Sequence, residues 1–127
     1  MNLEKVVFGF FVLLAATLNF GFFLGDPADS AVHNVYELFA AVVVNLIAIA
    51  LKLGDRTQIG AVQLATSLVA SLQLITAALV WAYATGGADE LTPETTASVV
   101  SLSGGALFAN IVSVVLLVSE TISFQRR

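Results

Sequence analysis

Between Asn34 and Thr85 two long apolar runs are joined by five residues, Lys52-Leu53-Gly54-Asp55-Arg56, and this pairing restricts the fold more than any other feature of the chain. Each run is long enough to cross ~30 Å of bilayer hydrocarbon as a helix rising 1.5 Å per residue. A connection this short makes the two helices antiparallel neighbours. The two cations in the hinge put it on the cytoplasmic side, where Lys and Arg are retained.

Two further apolar runs flank that hairpin, which gives spans at about 6–24, 35–53, 58–85 and 95–122. All five cations (Lys5, Lys52, Arg56, Arg126 and Arg127) lie at the two ends or in the hinge, whereas Asp26, Asp29, Glu37, Asp89, Glu90 and Glu94 occupy the other two connections. Four spans with both termini cytoplasmic satisfy this sorting without conflict. The expected fold is therefore all-α, an antiparallel bundle of four transmembrane helices. Only 11% of the 127 residues are charged, far below the ~25% of soluble domains, and the spans consume nearly the whole chain, so one domain is expected over 1–127. Read as a signal peptide, 1–25 lacks a small-x-small cleavage site after its apolar run, so it is expected to remain as the first span.

Local signals mark the helix ends. Gly25 is placed to close the first span and Pro27 to stop it; Asn34, with Glu37 three residues on, forms a capping box for the second. At the hinge, Gly54 is expected in the left-handed end position, with Asp55 capping the third span. Gly86-Gly87 ends that span, and Thr92-Pro93-Glu94 supplies a cap, an N1 proline and an acidic first turn for the fourth. Trp81 and Tyr83 are expected as anchors at the membrane interface.

Polar residues inside the spans carry the functional reading. Asn45, Gln73 and Asn110 are expected at one depth near the midplane, with Asn19 about a turn outward, and the third span adds Gln63, Ser67 and Ser71 at helical spacing. Carboxamides facing lipid are costly, so this layer faces inward. It serves either as a polar constriction or small-ligand site, or as an interhelical clamp worth ~0.6 kcal/mol per bond. Hydroxyls in membrane helices commonly bond back to their own backbone, which is the structural alternative for Ser67 and Ser71. On the fourth span Ala97, Ser101, Gly105, Ala109 and Ser113 repeat every four residues and form a row on which another helix backbone can pack. Glu37, Ala41, Asn45, Ala48 and Lys52 mark the buried face of the second span, and Gly9, Ala16 and Asn19 that of the first. His33 and Glu37 lie one turn apart near the acidic connection, where a solvated histidine is the expectation and a metal site the minor alternative. Glu120 is expected to be neutralised by Arg126 and Arg127.

Several chemistries lack their residues. There is no cysteine for a disulfide, thiolate metal site or thiol relay; the one histidine lies at a span boundary, away from any Ser/His/Asp set; phosphate loops and basic nucleic-acid patches are absent. No enzyme, cofactor or metal is expected, and no nucleic acid. The layout resembles that of small four-helix proteins of the bacterial inner membrane. The leading expectation is a channel-like or transport-related protein with a carboxamide layer in a neutral pathway, in contact with the lipid bilayer and homo-oligomeric. The competing expectation is a non-conducting accessory subunit that docks a larger membrane channel or transporter through the small row of the fourth span.

Overall fold

The computed structural model describes residues 3–25, 33, 35–55, 57–85 and 92–125. Among them run four helices, α1 Leu3–Phe23, α2 Val35–Lys52, α3 Gln58–Thr85 and α4 Pro93–Gln125, and no strand. Each is long and apolar enough to cross a membrane. The helices pack as a ring in chain order, with α1 against α2, α2 against α3, α3 against α4, and α4 closing back on α1. The short α2–α3 hinge permits only the antiparallel arrangement, and the polar groups of each backbone are satisfied within its own helix, as a lipid environment demands. The expected connections at 26–32 and 86–91, the Asn34 cap and Arg56, Arg126 and Arg127 lie outside the described residues.

Helix ends follow local chemistry, with two corrections. Gly25 closes α1 with φ of 103°, the left-handed geometry that favours glycine, and Thr92 caps α4, its hydroxyl accepting from Thr95 N at 3.2 Å. Gly54, by contrast, does not enter the left-handed region. Nor does Asp55 cap α3. That role falls to Thr57, whose hydroxyl accepts from Gly60 N, the third helical amide, at 3.0 Å. Asp55 instead holds the cap: its Oδ1 accepts from Thr57 N at 2.9 Å and from the Thr57 hydroxyl at 2.6 Å. The two short bonds draw the carboxyl down to a pKa of about 2, with the Lys52 ammonium adding to the shift.

Two apolar clusters sit at different heights in the bundle. The first, toward the α1 C terminus, joins Phe22, Leu38, Ala41, Ala70, Leu74, Trp81, Val99 and Ala106. The second, toward the α1 N terminus, joins Phe8, Val12 and Ala48 with Val114 and Leu117. In the first, Trp81 is buried with its ring edge-on to Phe22, centroids 5.8 Å apart, so it is a core residue where an interface anchor was expected; Tyr83 is 91% exposed. His33 is buried as well, which overturns its reading as a solvated group. Its Nδ1 donates to the Phe22 carbonyl in the last turn of α1 at 2.6 Å, and its ring packs on Phe22. At the opposite end Glu120 pairs with Lys5 of α1, a partner brought by the α1–α4 closure; its expected neutralisation by Arg126 and Arg127 falls outside the described residues.

Candidate functional site: a polar belt between two apolar clusters

The level between the two clusters is polar. On α2, Asn45 falls between Ala41 of one cluster and Ala48 of the other; on α4, Asn110 and Ser113 fall between Ala109 and Val114; on α3, Gln63 and Ser67 precede Ala70. All five are buried, with exposures from 0% to 2%. Ser71, on the same α3 face one turn beyond Ser67, and Asn19 on α1 extend the belt into the first cluster and are buried too. The period of four along Gln63, Ser67 and Ser71 keeps these side chains on one side of α3, which here is the bundle interior.

Ion pairs and close approaches between helices set the depths. Measured from the Lys5–Glu120 pair, Asn110 lies ten residues along α4 and so ~15 Å deep, and Asn19 fourteen residues along α1 and so ~21 Å deep. The Lys52 ammonium stands 4.2 Å from the Phe8 ring centroid, three residues in from Lys5, which brings Asn45 to ~15 Å as well. Asn45 and Asn110 thus share a level, with Asn19 about a turn outward. Gln73 departs from the expected layer. Its carboxamide lies against Gly105, where a Cβ would come within 2.6 Å of Nε2, about a turn and a half beyond Asn110 on α4. It is only partly buried and belongs with Asn19.

The belt's hydrogen-bonding capacity is largely unused within the chain. Among the described residues, nine buried side-chain atoms on Asn19, Asn45, Gln63, Ser71, Gln73, Asn110 and Ser113 have no partner. Asn45 spends its Nδ2 on the Ala41 carbonyl at 3.0 Å and leaves Oδ1 unbonded. Hydroxyls outside the belt behave differently: Thr66, Thr76, Thr96, Ser103 and Thr121 each donate to a carbonyl three or four residues back. Back-bonding therefore accounts for the threonines and for Ser103, and fails for Ser71 and Ser113. A buried polar group without a partner costs about 1–3 kcal/mol. Such a collection, spread over about a turn and a half of helix, equips the bundle interior to bind water or a small polar solute through carboxamide and hydroxyl groups.

The α4 row divides. Ala109 and Ser113 are buried, Gly105 seats Gln73, and Ala97 and Ser101 are exposed on the outer surface. A spacing of four advances about 40° around an α-helix at each step, so a row of five winds from one face to another. Ser113 consequently belongs to the belt, which its membership of the row had obscured; its distance of three residues from Asn110 was the available signal. On α1, Ala16 and Asn19 are buried and Gly9 lies against Leu117 of α4.

A cleft of ≈820 Å³ opens at the end of the bundle that carries Lys5 and the hinge, lined by residues 3–5, 7, 8, 50–52, 54, 55 and 57. Lys52 is buried in its wall, bonded to Asp55 Oδ2 at 3.2 Å. Groups of three or more metal-binding side chains are absent among the described residues.

Residues 32–121 match a family described as a family of unknown function (DUF6394). That stretch holds α2, α3, nearly all of α4 and every belt residue except Asn19. No curated protein and no solved structure matches the chain.

Proposed function

The chain belongs to DUF6394, a family of unknown function, and from the belt we propose that it is a channel-like or transport-related protein whose interior carries a small neutral polar solute or water-coordinated ion. The supporting observation is the set of partnerless carboxamide and hydroxyl atoms on Asn45, Gln63, Asn110 and Ser113, joined further out by Asn19, Ser71 and Gln73. Donors and acceptors of this kind replace the hydration of a solute at a depth where lipid cannot. The belt offers neither an imidazole nor a carboxylate, so it supplies hydrogen bonds where an enzyme would need a general base. In this reading both termini and the hinge face the cytoplasm of a bacterial inner membrane, and the protein works as a homo-oligomer.

A second reading is supported by Ala97 and Ser101, small residues exposed on α4 and open to a neighbouring helix. It makes the chain an accessory subunit of a larger membrane channel or transporter. Solute and ion flux from proteoliposomes containing only this chain separates the two. The transport reading expects flux from wild type and its loss in Asn45→Leu with the helical spectrum unchanged. Silent wild-type vesicles, or an Asn45→Leu variant that conducts normally, would remove the belt from any conduction role.

A further inference from the structure

The cleft at the hinge end of the bundle and the belt lie about one helical turn apart. The cleft reaches Asp55 and Thr57 at the start of α3, and the Asp55 carboxyl lies over buried Gly60, where a Cβ would collide with it. Gln63 follows three residues further, ~4.5 Å along the helix, while Ala61 and Val62 between them are exposed on the outer surface. From the carboxylate of the cleft to the carboxamide of the belt, the inner face of α3 thus carries only a glycine, which has no side chain to close the gap.

The other three helices close it. Phe8 of α1 lines the cleft and also belongs to the lower apolar cluster, with Val12, Ala48, Val114 and Leu117. That cluster is thin: Asn45 lies three residues beyond Ala48 and Asn110 four residues before Val114, ~4.5–6 Å of helix. The Phe8 ring is 1% exposed. On its cleft side the Lys52 ammonium stands 4.2 Å from the ring centroid, a favourable placement for a cation. Lys52 in turn bonds Asp55 Oδ2 at 3.2 Å, and Asp55 is anchored to Thr57. The ring is a stopper between the two spaces, fixed to the hinge through Lys52 and Asp55.

The charges of the cleft bear on what passes. Glu4 and Asp55 line it against Lys5 and Lys52, so its formal charges cancel, and both lysines are ion-paired, Lys5 with Glu120 and Lys52 with Asp55. A mouth of this kind concentrates ions of neither sign, unlike the single-sign rings of charge-selective pores. The carboxamides and hydroxyls of the belt are uncharged as well.

We infer that the cleft is the inner entrance to the belt, that Phe8 is the constriction between them, and that the solute admitted is a small uncharged polar molecule. This rests on the reading of the belt as a place that a solute enters.

The chain has no cysteine, so Ser113→Cys places a single thiol in the belt, and its alkylation by iodoacetamide in mild detergent measures access. Gly54 lines the cleft, and a Cβ built on it meets nothing within 4 Å; Gly54→Phe therefore fills the entrance without disturbing a neighbour and should slow alkylation. Phe8→Ala should speed it. Each change is expected to be about ten-fold or more, equivalent to at least ~1.4 kcal/mol on the barrier to access. Ala77→Cys, in the upper cluster, should respond to neither variant, which separates an opened route from a loosened fold. Circular dichroism identifies a variant that has not folded, and Gly54→Phe carries the test if Phe8→Ala fails in this way. Alkylation of Ser113→Cys unchanged in a folded Gly54→Phe would overturn the entrance. Iodoacetate reacting as fast as iodoacetamide, each relative to its rate with free cysteine, would overturn the uncharged class. Alkylation that obeys both variants in a chain whose proteoliposomes show no flux would uphold the entrance and remove transport.

Discussion

The contact between Gln73 and Gly105 is open to a double-mutant cycle whose sign depends on the structure. In Gly105→Ala the new Cβ would lie 2.6 Å from Gln73 Nε2, 2.9 Å from Oε1 and 3.0 Å from Cδ, short of normal contact by several tenths of an ångström. The atoms it meets are the far end of a flexible side chain, so Gln73 must leave its seat while the backbones stay. Overpacking of this kind costs about 1–3 kcal/mol, and the lower end applies because a glutamine can swing away. Against this, alanine gains roughly 0.5–1 kcal/mol over glycine inside a helix. The expected outcome is a Gly105→Ala variant within about 0.5 kcal/mol of wild type. In a Gln73→Ala background the clash is gone and only the helical gain remains, so the same substitution should stabilise by roughly 0.5–1 kcal/mol. The coupling between the two sites is then about 1 kcal/mol. Reversible unfolding in mixed SDS micelles, followed by far-ultraviolet circular dichroism, measures all four corners. A coupling below about 0.3 kcal/mol, within the range of independent sites, would show that Gln73 does not rest on Gly105 and would return it to the level of Asn110.

Two more expectations follow from the helix ends. The Asp55 carboxyl is held down to about 2 by the Thr57 hydroxyl and amide, with Lys52 contributing, so its folded pKa lies below the unfolded value; the stability it confers is complete above about pH 4 and is lost as pH falls toward 2. Thr57→Val should move the Asp55 pKa back toward the ordinary carboxylate range, as read by ¹³C NMR of the side-chain carboxyl, and a titration unchanged in that variant would refute the assigned cause. At the Lys5–Glu120 pair, where Glu120 is 16% and Lys5 35% exposed, Lys5→Met should cost about 1–2 kcal/mol, between the surface and buried limits. Adding Glu120→Leu should recover most of that loss in the same unfolding assay; if the double variant is as weak as the sum of the singles, the pair is not a coupled unit.

The four helices were legible because membrane burial imposes one requirement on every residue of a span. The apolar runs had to be helical, and the five-residue hinge had to reverse the chain. Burial at Ala41, Asn45, Ala48 and Lys52 followed from period alone, while Glu37 at the outer end of the same face is only half-buried. What escaped depends on partners brought from elsewhere in the chain. His33 reads as a surface residue until α1 offers it the Phe22 carbonyl and Trp81 closes over the same ring. The pairing of Glu120 with Lys5 could not be read from sequence, because only the α1–α4 closure brings the two together. The depth of Gln73 was misjudged for a similar reason, since equal rise along separate helices predicts equal depth only where the helices share an origin, and α3 is 28 residues to the 21 of α1.

Clamp and pathway place different demands on the bonding within the belt. An interhelical clamp works by satisfying each carboxamide with another, and in a membrane it is favoured because lipid offers no alternative partner. Here Asn45 bonds its own helix through the Ala41 carbonyl, and both polar atoms of Gln63 and of Asn19 are left without a partner. Buried carboxamides that do not bond one another give up the energy that would justify a clamp, and each bears a desolvation cost of about 1–3 kcal/mol. Several such costs rival the ~5–15 kcal/mol that separates folded from unfolded proteins, so they are tolerable only if something polar enters the belt. The apolar clusters on either side, closed by Phe22 and Trp81 above and by Phe8 and Val12 below, would then act as the barriers a solute must pass. Enlarging the lower barrier by Val12→Ala should raise flux in any vesicle where Asn45→Leu abolishes it, and flux unchanged by Val12→Ala would detach that cluster from the path.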